Sequence, residues 1–232
     1  RLFPDVPLAR IDRDAVRRRG ALEEAIERIH RGEVRILVGT QMLTKGHHFP
    51  DVSLVVVLNA DQGLFGTDFR ASERLAQSIV QVAGRAGRAE RAGEVLIQTE
   101  YPEHPLLAQL VTGGYDAFAA AALEERREAQ WPPFTRIAVL RAEAAGRTVP
   151  LDFLDQARDL AQACAVPGIE LLGPAAAPME RRAGHYRAQL LVHGASHSQL
   201  QRLFARWLPQ VEDLPAARKV RWSLDVDPLE LF

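Results

Sequence analysis

Aliphatic runs without polar alternation mark the first half of the chain. Three runs are strong: Val34–Thr40, Ser53–Ala60 and Gly93–Glu100. A fourth, Val6–Ile11, is weaker. Such runs are typical of strands that are buried on both faces of a parallel sheet. Apolar residues at helical spacing from Leu22 to Ile29 predict a helix that ends at Gly32. The pattern predicts an α/β layer, which we expect to be incomplete at its N-terminal edge.

A different pattern follows a break rich in glycine and proline. Tyr115–Gln130 is rich in helix formers, opens after Gly113-Gly114, and should end at Trp131–Pro133 because proline cannot continue a helix. Beyond it, strand, helix, strand, strand, helix and strand are predicted for Thr135–Ala142, Leu151–Ala165, Ile169–Leu172, Tyr186–Val192, Ser198–Leu208 and Val220–Val226. This is the split β-α-β pattern of a small α+β domain. We therefore expect an α/β domain over residues 1–113, a helical linker over 114–131 and an α+β domain over 132–232.

Composition changes this picture little. Of 232 residues, 47% are apolar and 25% charged, as in an ordinary globular protein, and the net charge of −1 gives no bulk attraction to nucleic acid or membranes. No uninterrupted apolar run, such as Leu54–Leu58, approaches the length of a membrane span. The single cysteine, Cys164, excludes an internal disulfide and a zinc site of several cysteines, which fits a cytoplasmic location. The chain begins with Arg1, which we interpret as a processed or cut product.

The segment QVAGRAGR, Gln81 to Arg88, carries the first candidate chemistry. If the preceding helix continues through it, Gln81, Arg85 and Arg88 lie at i, i+4 and i+7 on one face. Gly84 and Gly87 then leave that face open, and planar guanidinium groups can each bond two phosphate oxygens. The alternative is a solvated arginine pair at a helix end.

A second candidate is the segment VGTQMLTKGHHFPDV, which directly follows the predicted strand at Val34–Thr40. Ligands bind in α/β sheets at the carboxyl ends of such strands, and Thr40, Gln41 and Lys45 can donate to a phosphate or a nucleic-acid backbone. The alternative is a strand-end turn with a capping threonine. In the following segment, Asp68, Arg70 and Glu73 are expected to form structural ion pairs.

The ordered set GTQMLTKGHHFPDV, DFRASER and QVAGRAGRA resembles the second, RecA-like motor lobe of superfamily 2 helicases. More narrowly, with VRWSLDVDP near the C-terminus, the chain resembles the bacterial primosomal replication-restart DNA helicases. The resemblance implies an ATP-driven 3′→5′ helicase that recognises stalled forks and assembles the primosome. It assigns Gly39, Thr40 and Gln41 to motif V, which links DNA contact to the nucleotide. It also assigns Gln81–Arg88 to motif VI, in which Gln81, Arg85 and Arg88 face the ATP γ-phosphate, with Gly84 and Gly87 beside them and Arg88 as arginine finger.

The departures from that family bear on activity. The sequence contains no G-x-x-x-x-G-K-[ST] loop and no DExH box, so ATP and Mg²⁺ are expected to be bound mainly by a first lobe. The zinc-binding cysteines of the family are also missing from this sequence, and His48 stands where many related helicases carry a ribose-binding aspartate. We expect the chain alone to be inactive as an ATPase. The alternative is a non-catalytic DNA- or protein-binding module from a helicase that has lost ATPase activity.

The last third carries a basic cluster in MERRAGHYRAQLLVH. Arg181, Arg182 and Arg187 combine there with His185 and Tyr186. Cations beside an aromatic ring suit a DNA backbone with a flipped or terminal base, and they equally suit an acidic, apolar-ended peptide tail. The resemblance implies a ribosomal S10-like domain that binds branched DNA and the tail of single-stranded DNA-binding protein, for which His185, Tyr186 and Gln189 are candidates.

The charged residues of this last third also have purely structural interpretations. The cluster itself could be a solvated hairpin, and Arg218, Lys219 and Arg221 an exposed strand face. A zinc site at His193 and His197 is disfavoured because Ser196 is typical of a helix N-cap. Asp225 and Asp227 fit a strand-end turn better than a metal pair.

Overall fold

The computed structural model describes residues 4–11, 20–39, 52–84 and 93–231. It divides into two compact units. One contains the chain up to Thr67 together with Ala71–Ala119, and the other contains Asp68–Arg70 together with the chain from Ala120 onward. Each unit is described below by itself.

The first unit contains two parallel strand pairs. β1 (Leu8–Ile11) pairs with β2 (Ile36–Gly39), and β3 (Leu54–Val57) pairs with β4 (Glu94–Ile97). The predicted α/β architecture with parallel strands is confirmed. Burial on both strand faces is not found: Leu54, Val56 and Leu96 keep 47–49% of their surface exposed. The aliphatic runs therefore predict the strands correctly but overstate how deeply they are buried.

Three helices lie in this unit. α1 (Ala21–His30) follows Gly20 and ends just before Gly32, and both glycines have the left-handed φ that favours them, +83° and +73°. α2 (Asp61–Leu64) is one short turn after β3. α3 (Ala71–Ala83) buries Ala76 and Ile79.

Helix α4 (Pro105–Glu128) contains a first segment that the sequence does not predict. Two helical segments join at a kink where Gly114 has the non-helical angles φ 73° and ψ −167°. The second segment begins after Gly113-Gly114, as the sequence predicts. Leu106, Leu107 and Leu110 are buried, which explains why the first turns are helical. Among the described residues α4 alone is long and apolar enough to cross a membrane by length and composition, since a window of 18 residues in it has a mean hydropathy of 1.3. Core helices meet the same criterion, so it carries no argument for a membrane.

The second unit is a four-stranded antiparallel sheet with two helices. Its strands are β5 (Arg136–Ala144), β6 (Ile169–Arg182), β7 (His185–Gly194) and β8 (Arg221–Val226), in the order β6-β7-β5-β8. The helices are α5 (Val149–Ala163) and α6 (His197–Glu212), with a 3₁₀ turn at Pro215–Lys219. The elements follow one another as strand, helix, strand, strand, helix, strand.

Strand β6 is much longer than the predicted Ile169–Leu172. It continues through Gly173 and Pro174 to Arg182, with irregular pairing between Leu172 and Ala175 and between Ala176 and Arg181. Glycine and proline read as chain breakers in the sequence. At the edge of the sheet, where β6 lies, both are tolerated because one side of the strand needs no ladder partner. The extension makes β6 and β7 a long hairpin.

The two faces of this sheet differ in kind. One face packs on α5 and α6, where Leu140, Leu190 and Trp207 are fully buried. On the other face, which we call the open face, Ile137 and Val139 pack with Leu231, Phe69 and Trp131. Since strand side chains alternate between faces, the charged residues next along β5, Arg141 and Glu143, also belong to the open face.

Candidate nucleic-acid interface

Polar side chains from three strands form rows across the open face. Glu143 of β5 lies between Arg187 of β7 and Arg221 of β8 in the strand register. The next row places Arg141 between Gln189 and Ser223. Directly opposed side chains on neighbouring strands are close enough to interact. The sheet thus assembles charges that are far apart in the sequence.

A groove of about 570 Å³ lies over the first row, and we call it the basic groove. Its lining residues are Glu143, Ala144, Ala145, Arg182, Ala183, His185, Arg187, Lys219 and Arg221. A smaller hollow of about 340 Å³ adjoins it and shares Glu143, Arg187 and Arg221. The predicted partner residue Gln189 lines that hollow.

A tight turn positions two groove residues. Ala183 and Gly184 connect β6 to β7 with φ values of 49° and 85°, the pattern of a two-residue hairpin with both central residues left-handed. Arg182 and His185 flank this turn and face each other across the strand pair. The hairpin twist therefore brings Arg182 and His185 to the rim of the basic groove.

The basic groove is strongly positive although the whole chain is not. Four of its side chains are cationic, Arg182, Arg187, Lys219 and Arg221, against the single carboxylate of Glu143. Arg221 Nη1 lies 3.5 Å from Glu143 Oε1, and the Arg221 side chain is 88% exposed. Local clustering thus creates the positive surface that the net charge of −1 hides.

Arg141 lies beside the groove but is committed to other contacts. Its Nη1 lies 2.8 Å from Asp225 Oδ2, and its Nη2 donates to the carbonyl oxygen of Glu230 at 2.6 Å. Asp225 therefore pairs with an arginine, and among the described residues no three His, Cys, Asp or Glu side chains group to hold a metal. Asp227 has φ 51° and donates its N–H to the Ile137 carbonyl, which fits the predicted strand-end turn.

The sequence cluster around Arg181 is divided by the sheet. Arg182, His185 and Arg187 line the basic groove, whereas Arg181 and Tyr186 are absent from its lining. Instead the Arg181 guanidinium lies 5.2 Å from the Tyr186 ring centroid, a cation–π pair across β6 and β7. One face of the Tyr186 ring is thus already occupied.

Two further neighbours of the hairpin have structural contacts. Arg147 Nε donates to Glu180 Oε1 at 2.8 Å, and this hydrogen bond together with the Glu180 charge raises the pKa of Arg147 above its ordinary value. His193 Nε2 lies 2.8 Å from the Gln130 carbonyl oxygen and 2.9 Å from the Thr135 hydroxyl, so its contacts are structural. His197 begins α6 after the N-cap Ser196, as expected, so His193 lies outside that helix.

The helicase-type residues of the first unit are only partly described. Gly39 ends β2, Gln81 lies in the last turn of α3, and Gly84 follows the helix with its N–H bonded to the Val80 carbonyl. The predicted residues Thr40, Gln41, Lys45, Arg85, Gly87 and Arg88 lie outside the described residues. The shared helical face of Gln81, Arg85 and Arg88 stays a prediction.

Hydrogen bonds of Asp61, which the sequence did not predict, connect the loops at the carboxyl ends of β3 and β4. The Asp61 carboxylate accepts the Thr99 hydroxyl and, at 3.0 Å, the backbone N–H of Glu100. Because β3 and β4 are parallel, their carboxyl ends meet at one edge, and Asp61 ties the loops that leave it. An aspartate directly after one aliphatic run and a threonine directly after another were the available signals.

The DFR segment belongs to the second unit. Asp68 is buried; its Oδ1 accepts the Arg70 N–H at 2.8 Å and its Oδ2 accepts the Leu231 N–H at 3.0 Å. Phe69 stacks on Trp131 at 5.4 Å, and the guanidinium groups of Arg70 and Arg126 lie 5.1 and 5.2 Å from its ring centroid. The contacts described for Asp68 and Arg70 are thus with backbone and aromatic partners, and the ion pairs expected for Asp68, Arg70 and Glu73 stay a prediction.

Two family models match the chain. A helicase conserved C-terminal domain matches residues 10–90, and the primosomal protein N C-terminal domain matches residues 127–229. The chain thus belongs to the class of proteins that join a helicase C-terminal domain to a primosomal C-terminal domain.

The relatives narrow this class. The replication restart protein PriA of Haemophilus influenzae is 48% identical over 230 residues, covering 99% of this chain and 31% of that protein. The PriA proteins of Synechocystis and Bacillus subtilis are 37% and 34% identical over 99% and 98% of this chain, and 27% and 28% of their own lengths. The chain belongs to the PriA family and spans roughly a third of the length of these relatives. A de novo designed protein, Foldit4, matches 40% of the chain with a TM-score of 0.32 and 8% identity, which carries no argument.

Proposed function

We propose that this chain supplies the second motor lobe and the C-terminal domain of an ATP-dependent 3′→5′ DNA helicase that recognises stalled forks and restarts replication by primosome assembly. The similarity to proteins named for replication restart supports this proposal, as does the helicase domain at residues 10–90. In this proposal the chain works in the bacterial cytoplasm with forked and single-stranded DNA and other primosome proteins.

The observation that carries the proposal is the basic groove. Arg182, Arg187, Lys219 and Arg221 come from three strands and a 3₁₀ turn, yet they line one concavity. Guanidinium and ammonium groups bind phosphate without reading sequence, as a protein that acts on any fork requires. Small residues, Ala144, Ala145 and Ala183, complete the lining and leave room for a backbone to approach. We infer that this groove docks a phosphate backbone.

The nucleotide part of the proposal rests on residues 81–88. Gln81, Arg85 and Arg88 are assigned to the γ-phosphate of ATP, and Mg²⁺ to a first lobe. In the described part of the chain, Gly39, Gln81 and Gly84 alone do not fit a nucleoside triphosphate, so no catalytic step is derived from them. We expect this chain by itself not to hydrolyse ATP, and we expect zinc to be bound elsewhere in the full protein.

The C-terminal unit is proposed to be an S10-like domain with a second ligand. His185 lies in the basic groove and Gln189 in the adjoining hollow, so the candidate partner residues border the DNA candidates. An acidic tail, such as that of single-stranded DNA-binding protein, suits the same positive surface. This proximity also favours the second candidate function, a module that binds DNA or protein without turnover.

The test is fluorescence anisotropy of the chain with labelled forked DNA at several salt concentrations. Four phosphate contacts predict a slope of log affinity against log salt of about −3.6, and Arg187→Ala with Arg221→Ala should reduce it to about −1.8. The control, Arg202→Ala with Arg206→Ala, removes the same charge from exposed positions of α6, on the other side of the sheet. Equal slopes for both double variants would place DNA elsewhere. ATPase measurement of the chain alone and of a full-length relative tests the motor part.

A further inference from the structure

The basic groove contains one negative charge at its centre. Glu143 lies on the central strand β5, with Arg187 and Arg221 directly opposite on the flanking strands. It is the only carboxylate that lines the groove among the described residues. A carboxylate at the centre of four cations occupies a place that an incoming phosphate also favours.

The contacts of Glu143 show whether it holds an arginine in position or only adds a negative charge to the groove. A carboxylate that positions an arginine forms short bonds to a side chain of restricted motion, as Asp225 does with Arg141 at 2.8 Å. The Glu143–Arg221 distance is 3.5 Å, and Arg221 is 88% exposed. Such an exposed, long ion pair holds its partner weakly and is easily exchanged. Glu143 therefore does little to hold Arg221 in one place.

Glu143 is nevertheless held in the groove itself. Its side chain is 34% exposed, less than half the value for Arg221, and it extends from a strand that is paired on both sides. A phosphate that binds Arg187 and Arg221 must therefore lie close to this negative charge. Two unit charges about 4 Å apart in water repel by about 1 kcal/mol, which corresponds to roughly fivefold in affinity.

We propose that Glu143 is an internal counter-charge that limits how tightly the basic groove holds a phosphate backbone. The inference rests on the proposed DNA-docking function and specifies how the same site is regulated. Glu143 competes with phosphate for Arg187 and Arg221, so bound DNA exchanges more readily than four cations alone would allow. A protein that must move along DNA after docking benefits from such weakened retention.

The experiment compares three single variants in the anisotropy assay with forked DNA at low salt. Glu143→Gln preserves the size of the side chain and removes its charge; it should tighten binding about fivefold. Because salt screens the repulsion, the gain should shrink as salt rises. Glu143→Asp keeps the charge and should bind within about twofold of the parent. Asp159→Asn is the control, an exposed carboxylate on α5 paired with Arg158 at 3.2 Å, and should change nothing.

The outcomes distinguish a failure of the counter-charge role from a failure of the proposed DNA docking. Unchanged or weaker binding by Glu143→Gln, while Arg187→Ala still weakens binding, would overturn the counter-charge role and leave DNA docking intact. An equal gain for Asp159→Asn would also overturn it, since net charge alone would explain the effect. Absence of DNA binding by the folded parent chain would instead refute the docking function itself.

Discussion

Replacing Asp68 by asparagine changes one oxygen of a buried carboxylate that accepts two backbone N–H groups. These are the N–H groups of Arg70 and Leu231, at 2.8 and 3.0 Å. The amide keeps one acceptor oxygen and directs its NH₂ group at the other N–H. A hydrogen bond to a charged group contributes about 1.5–3 kcal/mol, so the second unit should lose about 2 kcal/mol of stability.

Urea unfolding followed by tryptophan fluorescence measures this loss of stability in the second unit of the chain. The chain has three tryptophans, Trp131, Trp207 and Trp222, and all of them lie in the second unit. With an m-value of about 2 kcal/mol per molar urea, the midpoint should fall by about 1 M. Unfolding of the first unit does not add to this signal, so the transition can be analysed as that of one unit.

Asp213 provides the control for the Asp68→Asn experiment. Asp213 is exposed at the C-terminal cap of α6, where a negative charge opposes the helix dipole, so Asp213→Asn should change stability by less than about 0.5 kcal/mol. If Asp68→Asn shifts the midpoint no more than Asp213→Asn, then the contact of Asp68 with the C-terminal residues does not stabilise this unit.

Two further substitutions test the core and the hairpin. Trp207→Phe removes the bond from a fully buried indole Nε1 to the Ala157 carbonyl at 2.7 Å and leaves a small cavity; urea unfolding should show a loss of about 2–3 kcal/mol. Gly184→Ala adds a methyl group that meets no atom within 4 Å, so only the left-handed φ of 85° is penalised. The same measurement should show a loss of about 1–2 kcal/mol.

The elements of both units could be predicted because their signals are local. The runs that became β2, β3 and β4 are aliphatic stretches bounded by polar or glycine residues, and Gly32 ends α1 as expected. The predicted end of β6 was wrong, because antiparallel pairing with β7 extends the strand past Gly173-Pro174, which is a chain breaker in isolation. Gly114 does interrupt α4, and the sequence missed only the helical segment before it.

The basic groove could be predicted only in part. Arg182, His185 and Arg187 form a visible cluster because a hairpin keeps them close in sequence. Arg221 is 78 positions from Glu143, and only the register of β5 with β8 brings them together. The alternation of side chains along a strand also could not show that Arg181 and Tyr186 form a cation–π pair with each other.

Arg141 lies between two parts of the open face of the sheet, an apolar part that is covered and the basic groove that we propose to bind DNA. On one side of it, Phe69, Trp131 and Leu231 cover the apolar residues of β5. Arg141 holds the Glu230 carbonyl, so the C-terminal residues cannot slide toward the basic groove without breaking a charge-assisted bond. The apolar half is thereby closed to ligands, and the half around Glu143 stays accessible. A change such as Asp68→Asn should therefore lower stability without lowering DNA affinity, whereas Glu143→Gln should do the reverse and raise affinity at little cost in stability.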